Sequence, residues 1–246
     1  MTTPLRLGLS MTFLQFAIGA INDIVDAPAD AGRVPPKPIP AGLVEPRQAR
    51  VVAALAALAG LALAAPSGPG LIALGLVVLG IGFAYDLGAK GTPLSWVPFA
   101  IGIPILPIYG WFGTTGTLPS FFGVLILMAA LAGAGLAIAN ARADLQTDLA
   151  AGTTSVATML GPNRSWWADA ALMVAAITIG IVSLGGTGFD AAPWTLVSAG
   201  IGIVVAGLAL GRRDLRRARV RAWEAQAVGA AVAATGWIAA MSPLAL

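Results

Sequence analysis

Eight stretches of the chain, at about 4–22, 47–65, 69–85, 93–112, 119–141, 166–184, 192–211 and 225–244, run close to the length of a bilayer with very little charge. Spanning the hydrocarbon core takes roughly 20 apolar residues in a helix. Inside that core every backbone N–H and C=O needs an internal partner, and a continuous helix supplies one. The expectation is an all-α, polytopic membrane protein with about eight transmembrane helices. Composition agrees: only 10% of the residues are charged and mean hydropathy is +0.87, where soluble domains carry about 25% charge. The fourth run contains Pro93, Pro98, Pro104 and Pro107. A helix there must bend and lean on neighbours to satisfy its freed carbonyls.

The loops divide by charge. Those after the first, third, fifth and seventh runs, with the adjoining run ends, hold 13 of the 14 basic residues. The segments 66–68, 113–118 and 185–191 hold none. Positive-inside asymmetry puts the basic set in the cytoplasm and the N-terminus outside. The run Arg212–Arg221, six Arg in ten residues, reads as a topology determinant and anionic-lipid anchor. Clustered basic residues at a net charge of only +3 do not point to nucleic acid. The N-terminus shows no basic region followed by a small-residue cleavage site, so no secretory signal is expected.

Histidine and cysteine are both absent. That removes disulfides, thiolate metal sites and the commonest general base. Chemistry must then run on carboxylates, Lys, Tyr, Arg or a metal. The carboxylates are patterned. Asn22, Asp26 and Asp30 are four apart, as are Asn140, Asp144 and Asp148, and the offset between the rows is 118 throughout. On a helix, positions i, i+4 and i+8 share a face. Stacked carboxylates repel unless solvated or bridged by a cation. Mg²⁺ takes oxygen ligands, often one or two carboxylates plus phosphate oxygens. The two rows are therefore expected to face each other and hold Mg²⁺ against a diphosphate, from two related halves at about 1–112 and 113–246 of a single domain.

The loop after the first row, Ala31-Gly32-Arg33-Val34-Pro35-Pro36-Lys37-Pro38-Ile39-Pro40, cannot be helical. It places Arg33 and Lys37 to meet anionic oxygens. After the third run come Tyr85-Asp86 and Lys90. A Lys at a membrane edge is commonly a topology anchor and a Tyr a belt residue, yet both fall on the side of the acidic rows. Gly152 and Thr153 read as a helix break after the second row.

These residues resemble the UbiA superfamily of intramembrane prenyltransferases. Its first motif, Asn-Asp-x-x-Asp-x-x-x-Asp, is matched by Asn22, Asp23, Asp26 and Asp30, and its loop ending by Lys37-Pro38-Ile39-Pro40-Ala41-Gly42. Its second, Asp-x-x-x-Asp and a Gly-x-x-Thr-like turn, is matched by Asp144, Asp148, Gly152 and Thr154 or its neighbour, and its Tyr and Lys by Tyr85 and Lys90. The resemblance covers essentially the whole chain. It implies a helical bundle with a central cavity opening to the bilayer. It implies Mg²⁺ and the diphosphate of an isoprenoid donor bound by the two motifs, and prenyl transfer to a hydrophobic or aromatic acceptor. Family members usually have nine spans, the first motif closing the second; here it closes the first, so the family's opening helix is expected to be absent from this chain.

On that reading Asn22, Asp26, Asp30, Asp144 and Asp148 bind metal, and Asn22, Arg33, Lys37, Lys90 and Asn140 bind diphosphate. Asp26, Asp148 and Tyr85 carry the catalysis, with Asp23, off the row, as the general base. Phe13, Phe16, Phe83, Trp96, Phe99 and Tyr109 could face a carbocation but more simply pack or meet lipid. A terpene cyclase of the same superfamily would use the same motifs. A transporter is disfavoured because the acids gather at one face and no charge lies mid-span. A CDP-alcohol phosphotransferase pattern fails because Ala27 follows Asp26.

Overall fold

The computed structural model describes residues 1–32, 35–188 and 190–242. They form nine α-helices and no strand: α1 Thr3–Asp26, α2 Pro46–Ala64, α3 Pro69–Ala84, α4 Val97–Thr115, α5 Phe122–Ala143, α6 Leu145–Ala151, α7 Val156–Ser183, α8 Ala191–Leu210 and α9 Arg216–Met241. Among the described residues seven helices are long and apolar enough to cross a membrane: all but α6 and α9.

Two of the expected runs differ in detail. The eighth is helical, but its helix starts at Arg216 and carries Arg216, Arg217, Arg219, Arg221 and Glu224 in its first turns, so seven helices rather than eight meet the requirement. The sixth begins at Val156, ten residues early, behind a Ser155 cap whose hydroxyl accepts from the Thr158 N–H. Gly161, at φ 74°, and Pro162 kink it. Apolarity marks where lipid begins, whereas capping and turn chemistry mark where a helix begins. α4 is helical through Pro104 and Pro107.

The chain divides into two compact units, Met1–Lys90 with Ile105–Leu118, and Gly91–Pro104 with Pro119–Leu246. In the first, α1 packs on α2 and α3 over a core that includes Leu7, Leu14, Leu71 and Tyr109. Close approach depends on glycine: a Cβ on Gly60 would lie 2.8 Å from the Leu14 side chain, and one on Gly82 2.4 Å from Ile18. Polar groups facing this core are paired internally. The Ser10 hydroxyl donates to the Gly60 carbonyl at 2.6 Å and accepts from the Tyr109 hydroxyl, also at 2.6 Å. Arg6, the one charge early in the first span, donates to the Leu63 carbonyl and to Ser67. It thereby satisfies the C-terminal end of α2. Tyr109 is thus a packing residue, while Phe16 is 62% exposed.

In the second unit α5 packs on α7 and α9, and α8 lies along α9. With no hydrophobic drive between helices in lipid, small residues let backbones meet. Gly200 and Gly207 on α8 oppose Gly229 and Ala222 on α9. Asp169, near the start of the apolar part of α7, is fully buried and accepts from Gln226 Nε2 of α9 at 3.2 Å.

A Cβ at Gly200 would sit 2.4 Å from the Ala233 nitrogen, whereas at Gly202 nothing lies within 4 Å. Gly200→Val is expected to destabilise the protein by about 1–3 kcal/mol through overpacking, and Gly202→Ala to leave stability unchanged. Thermal unfolding in detergent measures both.

Candidate active site

Each unit carries one acidic helix end. In the first, α1 ends at Asp26, yet Ala27 keeps helical angles (φ −49°, ψ −42°) and the Asp30 N–H reaches the Asp26 carbonyl at 2.9 Å. Asn22, Asp26 and Asp30 therefore stay one turn apart, as their spacing implies. Two lysines stand against them. Lys37 Nζ bridges Asp23 Oδ1 at 3.0 Å and Asp30 Oδ2 at 2.7 Å; Lys90 Nζ meets Asp26 Oδ2 at 2.5 Å. Burial works against the Lys37 charge, but hydrogen bonds and charge from Asp30 and Asp23 outweigh it and raise its pKa above the usual 10.5. Lys37 is thus a firm cation at neutral pH. Arg33 lies outside the described residues.

Lys90 reaches Asp26 because α3 does not end as an ordinary helix. It widens into a π turn over Tyr85–Ala89, closed by the Lys90 N–H on the Tyr85 carbonyl at 2.8 Å. Such turns are rare and frequent at functional sites. This one carries Asp86, which sequence reasoning overlooked. Asp86 is 4% exposed, and its Oδ1 accepts from Asn22 Nδ2 at 2.8 Å. Its Oδ2 has no hydrogen-bond partner among the described residues. The available signal was its place between Tyr85 and Lys90. Tyr85, half-buried, opens the turn.

In the second unit the expected single helical row is interrupted. Asn140 sits in the last turn of α5, Asp144 breaks the helix at φ −104°, ψ 9°, and Asp148 lies on α6. The one-turn spacing survives because the Asp148 N–H still reaches the Asp144 carbonyl at 2.9 Å. Gly152, at φ 69°, ends α6, as its position implies. Arg216 Nε and Nη2 both meet Asp144 Oδ1, at 3.0 and 2.6 Å. Arg216 had been absorbed into a bulk topology signal; no spacing rule links it to a residue 72 positions away.

The donor set suits a hard cation. Every candidate ligand is an oxygen. Among the described residues no three carboxylates are gathered closely enough to enclose a metal ion. A Mg²⁺ ion takes one or two carboxylates and completes its shell with water and phosphate oxygens. The unpartnered Asp86 Oδ2 is a buried oxygen free to face such a cation or its water.

Comparison with known proteins adds to this geometry. The model of the UbiA prenyltransferase family matches residues 2–227. A digeranylgeranylglyceryl phosphate synthase from Methanothrix thermoacetophila is 28% identical over 188 residues, spanning 74% of this chain and 68% of that protein. The apo structure of a UbiA homolog from Aeropyrum pernix K1 superposes with a TM-score of 0.76 at 21% identity, covering 98% of this chain and 90% of that one. A UbiA homolog from Archaeoglobus fulgidus, bound to DMAPP and Mg²⁺, gives a TM-score of 0.70 at 18% identity, covering 94% and 87%. At these identities the structural likeness establishes the fold.

The two polar contacts at the helix ends differ in weight. Asn22→Leu leaves the buried Asp86 without its donor and is expected to cost about 1–3 kcal/mol. Arg216→Ala removes a pair whose side chains are 49% and 50% exposed, and is expected to cost less than about 1 kcal/mol. Thermal or denaturant unfolding in detergent ranks them.

Proposed function

Because the chain belongs to the UbiA prenyltransferase family, we propose that this integral membrane enzyme takes a prenyl group from an isoprenoid diphosphate and passes it, with Mg²⁺, to a hydrophobic acceptor, a lipid or an aromatic ring. The observation that carries this reading is the polar cluster at the end of α1. Four carboxylates and an amide, Asn22, Asp23, Asp26, Asp30 and Asp86, stand with two lysines at the mouth of otherwise apolar helices. The relative bound to DMAPP and Mg²⁺ supports the ligand class. The basic loops support a cytoplasmic orientation for this end.

Asn22, Asp26, Asp30, Asp144 and Asp148 are the proposed metal ligands. Mg²⁺, when bound, neutralises charge developing on the departing diphosphate. The residues do the rest. Lys37 and Lys90, which hold carboxylates here, would offer their N–H donors to diphosphate oxygens; Asn22, Arg33 and Asn140 would add donors. Asp144 gives up a half-exposed pair worth about 1 kcal/mol at most, a small barrier to recruiting it. The C1–O bond of the donor breaks, its electron pair leaving with diphosphate. The acceptor then bonds to C1 and releases its proton to Asp23, whose side chain is 47% exposed. Tyr85 orients the diphosphate end. Apolar helix faces exclude water that would quench an allylic cation.

Asp26→Asn and Asp148→Asn are each expected to abolish transfer of labelled prenyl groups, by 10²-fold or more, with the protein still monodisperse in detergent. Chelation of divalent metal should stop wild-type turnover and Mg²⁺ should restore it. Full activity in either variant or in chelator overturns the reading. Product formed from donor alone would assign a cyclase instead. A panel of donors and acceptors in the same assay reads out chain length and acceptor class.

A further inference from the structure

The second unit contains a cavity of about 580 Å³ that none of Asn140, Asp144 and Asp148 lines. Its wall carries Arg142, Arg212, Arg219 and Asp214, a formal charge of 3 − 1 = +2, beside the rings of Trp166 and Trp167. Two of these guanidiniums are buried: Arg142 is 4% and Arg219 6% exposed. Arg142 donates Nε to the Ser165 hydroxyl at 3.2 Å and Nη2 to the Gly211 carbonyl at 3.1 Å. Both acceptors are neutral; among the described residues no carboxylate lies within ion-pairing distance of it, and the buried Asp169 acts on it only from further off. Arg219 pairs through Nη2 with Asp214, whose side chain is 78% exposed, while its buried Nε has no partner. Arg212 lies 4.1 Å above the Trp166 ring.

Burying a cation is costly unless an anion accompanies it. Two buried guanidiniums in one cavity, one with a donor to spare, with a third above it, make a strong field for a doubly or singly charged oxyanion. Guanidinium forks match phosphate oxygens. Leu145, Leu149 and the two Trp rings give the same cavity an apolar wall, which suits a ligand with a greasy portion. Trp is the side chain that settles at the membrane interface, and basic pockets between membrane helices on the cytoplasmic side take anionic headgroups.

We propose that this cavity is a phosphate-ester site, in which Arg142, Arg212 and Arg219 hold the phosphate and Trp166 and Trp167 flank its organic part. The sequence reading treated the Arg212–Arg221 run as a diffuse anchor. The structure divides it: Arg212 and Arg219 line the cavity, Arg213 and Arg217 do not. None of the proposed catalytic residues lines the cavity, and the site is read by binding alone.

The test uses the purified full chain in a non-ionic detergent, followed by tryptophan fluorescence, since two of the rings line the cavity. It is titrated separately with short-chain phosphatidylglycerol, short-chain phosphatidylcholine and inorganic phosphate. Saturable binding of phosphatidylglycerol at least tenfold tighter than phosphatidylcholine identifies a lipid headgroup, and saturable binding of inorganic phosphate a free phosphate. Absence of both overturns the proposal. Arg212→Gln/Arg219→Gln should weaken the tighter ligand by roughly tenfold or more, and Arg213→Gln/Arg217→Gln, the same charge change in the same run, by less than twofold. Equal losses in the two doubles overturn it in favour of diffuse charge. Arg212→Gln alone, at an exposed position, should weaken binding several-fold and serves if the buried substitution unfolds the chain; no change in that variant also overturns the proposal.

Discussion

A row of carboxylates one turn apart repels itself unless water or positive charge stands against it, and here two lysines supply the charge. That requirement organises the first unit. Lys37 comes from the proline-rich loop that follows the row, and Lys90 from the end of a different helix. Neither is placed by α1 itself. The loop must fold back and α3 must open into its π turn before the row is neutralised.

The helix ends are held in register by contacts far from them. Glycines at 60 and 82 bring the α2 and α3 backbones onto Leu14 and Ile18 of α1. The internal pairing of Ser10, Tyr109 and Arg6 removes polar groups that lipid could not satisfy. In the second unit the α8–α9 contact does the same work with glycine on both helices. A buried Asp169–Gln226 pair crosses from α7 to α9. A polar contact inside an apolar bundle holds one arrangement of helices better than interchangeable methyl groups can.

Much of this could be read from residue order because the information is local. Membrane length, charge asymmetry and four-residue spacing all act within one helix or loop. The repeated Asn-x-x-x-Asp-x-x-x-Asp pattern therefore located both acidic ends correctly. It did not reveal that Asp144 would break its helix and that Asp148 would sit on a separate short one, because the one-turn spacing is kept by a hydrogen bond across the break. Helix starts at Val156 and Arg216 were missed because hydropathy is blind to polar turns that precede the lipid-facing part.

Residue order alone dictates that this chain forms apolar helices and that two of them end in carboxylate rows, since both follow from periodicity and the cost of bare backbone in hydrocarbon. Partner choice does not follow from it. That Lys90 meets Asp26, that Asp86 takes the Asn22 amide, that Arg216 finds Asp144 and that Arg142 is buried facing a cavity were all settled by packing. Each joins residues between 64 and 72 positions apart or depends on several helices at once. Such pairings depend on where helix ends come to rest, and only the folded chain sets that.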